Sequence, residues 1–149
     1  MTNIQQNQID QAVANFQGGF NCAQAVFAAY ASQYGLEIDT AHKIAAPFGG
    51  GMGRCGHVCG AISGALMVIG LQAGNTQADD KAGKERAYNL AQDFLQRFEA
   101  NQGSTQCRDL IGFDLTTPEG LQAARQANIF ATRCPPIVRQ ALELLAELL

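Results

Sequence analysis

The sequence predicts an all-α fold: one domain over residues 1–149, a bundle of short helices around a buried, apolar central helix. Three observations carry this. Apolar residues recur at three- and four-residue spacing along most of the chain. No sustained period-two alternation marks a strand. Val58–Leu71 is a run of 14 residues without a charge, long enough for a core helix and too short to cross a bilayer. A hydrophobic content of 47% against 15% charged residues suits a compact chain with one real core, not a disordered one.

The elements follow in order. Ile9, Ala12, Val13 and Phe16 give a first short apolar face. Ala23, Val26, Phe27, Tyr30, Ala31 and Tyr34 give a longer one, opened by Asn21 as N-cap and closed by Gly35. A short helix is expected over Ala41–Ala46, stopping before Pro47. A glycine-rich loop separates it from the Val58–Leu71 run. Thr76, with Asp79 three residues on, is the expected start of a helix whose apolar face is Ala87, Leu90, Ala91, Phe94, Leu95 and Phe98. The charged group Lys81, Lys84, Glu85 and Arg86 reads as its solvated side. Ser104 is expected to cap a short turn that puts Cys107 at its third position, and Thr117-Pro118 opens a further helix. The last helix presents Ile137, Val138, Ala141, Leu142, Leu145, Leu148 and Leu149.

Cysteine placement is the main functional signal. Cys22, Cys59, Cys107 and Cys134 each fall where a helix begins. A helix N-terminus offers unpaired N–H groups and the positive end of a dipole, which stabilise an anion such as a thiolate. Taken singly, each would read as a small buried hydrophobe. Taken together they point to four sulfurs aimed at one place. Between them lie 36, 47 and 26 residues, spacings that match neither a zinc ribbon nor a ferredoxin. A fifth cysteine, Cys55, stands four residues before Cys59 and reads either as a resolving thiol or as an incidental loop residue. His57 lies between those two and could ligate a metal, move a proton or simply be polar. Arg54, Arg108 and Arg133 each adjoin a cysteine and could offset negative charge there or be plain surface arginines.

Seven glycines lie between Gly49 and Gly64. Gly49, Gly50, Gly51 and Gly53 could form a nest of backbone N–H groups that cradles a cofactor. Gly56, Gly60 and Gly64 fall at four-residue spacing, on one helical face open to a close backbone neighbour. The run is no Walker A motif, since no Gly-Lys-Ser/Thr follows, and without a preceding strand it is no dinucleotide fingerprint.

A net charge of −3 excludes the electrostatic footprint of a nucleic-acid binder. No basic amphipathic stretch suggests a membrane surface. The N-terminus lacks the basic and apolar regions of a signal peptide, so a cytoplasmic location is expected, where thiols stay reduced. An odd total of five cysteines also argues against a framework of structural disulfides.

At Cys59-Gly60-Ala61-Ile62-Ser63-Gly64, with Cys22 upstream and Cys107 and Cys134 downstream, the chain resembles the C_GCAxxG_C_C family of redox-active proteins. By the same pattern it is similar to a region of the split-Soret cytochromes, which carry an iron–sulfur centre as well as haem. No Cys-x-x-Cys-His is present, so covalent haem is not expected. Cys55 lies outside the pattern. The resemblance implies a redox protein with an unidentified redox partner, and it leaves a homo-oligomer open. Three readings follow. Cys22, Cys59, Cys107 and Cys134 hold an iron–sulfur cluster in an electron carrier or sensor. Alternatively the protein is a metal-free thiol–disulfide oxidoreductase, with Cys59 attacking and Cys22 or Cys55 resolving. In the third, the four sulfurs bind a structural zinc ion.

Overall fold

The computed structural model describes residues 1–149. The chain is all-α, as expected. Its helices are α1 (Asn3–Gln17), α2 (Cys22–Ala31), α3 (Ile38–Ala45), α4 (Gly60–Ala73), α5 (Lys81–Gln102), α6 (Cys107–Ile111), α7 (Pro118–Gln126) and α8 (Cys134–Leu148). A single turn, Ile129–Thr132, precedes α8. The only β-type pairing is one antiparallel bridge between Val58 and Gln106. No helix is long and apolar enough to cross a membrane.

Local sequence explains most helix starts. Thr2 caps α1 and Asn21 caps α2, each in a reciprocal capping box with a glutamine three residues on. Thr117 caps α7 by accepting from the Gly120 amide, with Pro118 at the first helical position. The start of α5 corrects an expectation. Asp80 is the cap, not Thr76, and it accepts from the Gly83 amide at 2.9 Å. Asp80 adjoins the first turn and can reach its free amides, whereas Thr76 stays in the preceding bend.

The core forms where α2 and α4 cross, flanked by α1, α5 and α8. Val26, Ile62, Val68, Phe94, Phe98 and Leu142 are fully buried in it. Two glycines set the distance between α2 and α4. A Cβ on Gly64 would lie 2.7 Å from the Ala23 carbonyl oxygen. One on Gly60 would lie 2.5 Å from the Cys22 sulfur and 2.8 Å from the Phe48 carbonyl oxygen. Only hydrogen fits at either place. Gly56 does not share that face, because it precedes the helix with φ +73°. α4 is also not buried along its whole length. Gly60–Ala65 is enclosed, whereas Gly70, Leu71 and Gln72 reach solvent where α2 has ended.

A second, smaller core lies beside the first. Cys107, Ile111, Leu115, Ala124 and Ile129 make it, with Leu121, Phe130 and Cys134 packed against it. It belongs to the segment running from α6 to the start of α8.

Two substitutions on one helix test this packing. Gly60→Ala should destabilise by about 1–3 kcal/mol, since the methyl group meets sulfur and backbone. Gly70→Ala should stabilise by up to about 1 kcal/mol, since its Cβ meets nothing within 4 Å and alanine is the better helix former. Denaturant midpoints of the two variants should therefore move in opposite directions. Equal shifts would mean that α2 and α4 are not held at glycine distance.

Candidate functional site: a cavity lined by four thiols

All four cysteines stand at helix starts. Cys22, Cys107 and Cys134 are the first residues of α2, α6 and α8, and Cys59 is the N-cap of α4. Ser104 does not put Cys107 at a third helical position. It accepts from the Gln106 amide and donates to Asp109, so the helix begins at Cys107 itself.

The four thiols line one cavity of about 930 Å³. Cys22 and Cys59 enter it from the main core, Cys107 and Cys134 from the smaller one. The cavity is thus the cleft between the two cores. Backbone pairing draws its walls together. The Cys59 amide donates to the Thr105 carbonyl at 2.9 Å and the Cys107 amide to the His57 carbonyl at 2.7 Å. Across the other side, Arg133 Nη1 donates to the Leu110 carbonyl at 2.8 Å, tying α6 to the entry of α8.

The glycine-rich stretch is not a loose loop. Gly50, Gly51, Met52, Gly53 and Arg54 all have φ between 60° and 69°, which makes a left-handed turn. For the two side-chain-bearing residues this conformation costs about 1–2 kcal/mol each. Backbone amide bonds hold it, among them Arg54 to the Gly49 carbonyl at 3.2 Å, Cys55 to Met52 at 3.1 Å, Gly56 to Gly50 at 3.2 Å and His57 to Gly51 at 3.0 Å. The turn aims the Gly50 N–H at the Cys22 sulfur. Gly49, Gly50 and Gly53 line the cavity. Gly51 is buried beneath it, where a Cβ would lie 2.7 Å from Cys107 Cβ and from the His57 backbone.

The four thiols are not equivalent. Cys22 accepts from the Cys59 thiol and from the Gly50 and Ala23 amides, which outweigh burial and lower its pKa to about 7. Cys59, the donor in that pair and buried, is raised well above the usual thiol range. Burial, followed by the nearby Cys22 charge, raises Cys107 to about 11. Cys134 is raised to about 12 by burial and by Cys22 and Cys107, with Arg133 partly offsetting them. Cys22 is thus the one thiol of the site that ionises around neutral pH, while Cys59, Cys107 and Cys134 keep their protons. The sequence reading put the attacking thiolate on Cys59; the hydrogen bonds put the charge on Cys22.

The remaining candidates separate cleanly. Cys55 is exposed and does not line the cavity; it is not on a helix, so it shares no helical face with Cys59. His57 is exposed and serves through its backbone. His42 stacks on Phe20 with ring centroids 4.0 Å apart. Arg108 donates to the Cys55 carbonyl at 3.3 Å, outside the cavity. Arg54 lines it, and so does Arg125, which sequence reasoning missed. Arg125 lies on the polar side of α7, and nothing in its neighbours sets it apart from a solvated arginine.

Thiols at helix starts around one apolar cleft define a cysteine-centred redox protein. A family model matches residues 20–148, and the chain belongs to that family, described as "Putative redox-active protein (C_GCAxxG_C_C)". No curated protein and no solved structure matches the chain. The likeness to the split-Soret cytochromes therefore rests on the cysteine pattern alone.

The asymmetry of the thiols has a direct readout. In reduced, metal-free Cys55→Ser protein, iodoacetamide should modify Cys22 first, because only the thiolate attacks. Its rate should rise with pH and reach half its maximum near pH 7, as the thiol ionises. Cys107 and Cys134 should stay unmodified until far higher pH. Peptide mapping that found Cys59 modified ahead of Cys22 would reverse the assignment.

Proposed function

We propose that this protein is an electron-transfer or redox-sensing protein that holds an iron–sulfur cluster through Cys22, Cys59, Cys107 and Cys134. The observation that carries the reading is the convergence of these thiols, from four helix starts, on one cavity. The cavity lining contains no carboxylate, imidazole or ammonium group to compete for a soft metal. Helix-start amides and the Gly50 N–H would hydrogen-bond the cysteine sulfurs, stabilising negative charge and tuning the potential. The group itself would supply one-electron chemistry; the chain supplies thiolates, amide dipoles and an apolar wall that limits water.

Thiol spacing supports a particular kind of cluster. Cys22 and Cys59 are neighbouring thiols that shift each other's ionisation. Such a pair suits a binuclear cluster, in which one iron takes two thiolates, better than a cubane, in which each iron takes one. No three side chains among the His, Cys, Asp and Glu residues are arranged to hold one ion, which disfavours a tetrahedral zinc site.

The same close pair supports a second reading, disulfide exchange without a metal. The Cys22 thiolate would attack a substrate disulfide, forming a mixed disulfide and releasing one substrate thiolate. Cys59, on losing its proton, would attack the Cys22 sulfur, closing a Cys22–Cys59 disulfide and releasing the second. The substrate would gain the two electrons that the protein dithiol loses.

Iron and acid-labile sulfide content, after anaerobic purification from iron-supplied cells, separates the two. Wild type and Cys55→Ser should carry both. Serine at Cys22, Cys59, Cys107 or Cys134 should remove most of each, because a hydroxyl is a poor ligand for this metal. Wild type without iron would sink the cluster reading. Disulfide exchange would then be tested by Cys59→Ser, which should accumulate a mixed disulfide at Cys22.

A further inference from the structure

We propose that the cleft also binds a small organic anion: a molecule with an apolar or aromatic body and one anionic end, held at the cavity mouth by Arg54 and Arg125. The inference goes beyond the redox reading and does not depend on how the thiols are used.

Three observations support it. The first is size. About 930 Å³ lies in the range of small-molecule sites, and an inorganic cluster of a handful of atoms would leave most of it free. The second is lining. Leu115, Leu121 and Phe130 of the smaller core, Phe16 and Ile137 of the main one, and Phe20 all line it, a surface suited to a hydrocarbon or ring.

The third is charge. Apart from the Cys22 thiolate, Arg54 and Arg125 are the only charged residues lining the cavity, although the chain as a whole carries −3. Neither takes part in an ion pair; the three present involve Arg97 and Arg139. Neither side chain donates a hydrogen bond, in contrast to Arg108 and Arg133, which both bond carbonyl groups. Both residues are exposed, so they belong to the part of the lining that meets water. Arg54 occupies its place in a left-handed backbone conformation, with φ +67°. Two unpaired guanidinium groups over an apolar cleft match an anionic head on an apolar body. The concavity favours a small molecule over a flat acidic protein surface.

The test titrates the anaerobically purified protein with 4-phenylbutyrate and, separately, with its neutral amide, 4-phenylbutyramide. Binding is followed by methyl NMR shifts of Leu115, Leu121 and Ile137. The carboxylate should bind with saturable shifts at these methyls, and the amide should bind about tenfold or more weakly, as expected for loss of a charge-assisted contact. Arg125→Gln and Arg54→Gln should each remove most of the difference between the two probes while leaving weak apolar binding. Because Arg54 lies in the left-handed turn, each variant's melting temperature is compared with wild type, and Arg125→Gln alone suffices if Arg54→Gln unfolds. Equal affinity for the two probes, or shifts confined to surface methyls, would overturn the proposal. So would shifts on adding polyglutamate with no response to phenylbutyrate, which would assign the arginines to an acidic protein partner.

Discussion

The close approach of α2 to α4 is the constraint on which the site depends. Gly60 lies against the Cys22 sulfur and Gly64 against the Ala23 carbonyl, so the helices meet nearly backbone to backbone. That approach puts Cys22, at the start of one helix, next to Cys59, at the cap of the other. Their shared hydrogen bond, and with it the ionisation of Cys22, follows from that distance. The left-handed turn is the other half of the arrangement. It returns the chain beneath Cys107 and sends an amide to Cys22, and it can do so because residues 50, 51 and 53 are glycine. A helix contact and a turn that both need glycine therefore build the electrostatic centre of the protein.

Much of the fold was legible in the sequence because it is written locally. Asn21, Thr117 and Pro118 act within one helical turn, and their effect needs no tertiary partner. The four cysteines were legible for the same reason, as each position is a helix start. What was not legible depends on distant partners. The left-handed turn required knowing that Gly51 would be pinned between Cys107 and His57. Gly56 matched the spacing of Gly60 and Gly64, but the Val58–Gln106 bridge delays the helix to Gly60 and takes Gly56 off its face. Arg125 carries no local mark at all; only the folding of α7 over the second core brings it to the cavity. Thr76 has the chemistry of a cap, but it lies in the bend before the helix, and Asp80 is the residue that adjoins the first turn.

Protonation shows how far position alone can mislead. Four helix starts suggest four activated thiolates, yet burial dominates at Cys107 and Cys134, and at Cys59 the partnership with Cys22, followed by burial, keeps the proton on. A short helix such as α6 has a weak dipole, and a buried thiol gains little from it against the cost of desolvating a charge. Cys22 differs because it collects donors from three directions. Bringing the other three to the thiolate form would need a positive partner among them, which is the physical link to the metal-bearing occupant proposed above.

The division of the interior into two cores has a consequence for the chain as a polymer. Cys22 and Cys59 belong to one core, Cys107 and Cys134 to the other. Any occupant bonded to sulfurs on both sides closes covalent rings spanning the long stretches between them. Ring closure of that kind removes conformations from the unfolded ensemble, as a disulfide does, and its effect grows slowly with ring length. The occupant would then act as a cross-link as well as a redox centre. Gain and loss of that cross-link would set how firmly the α6–α7 segment is joined to the rest of the molecule.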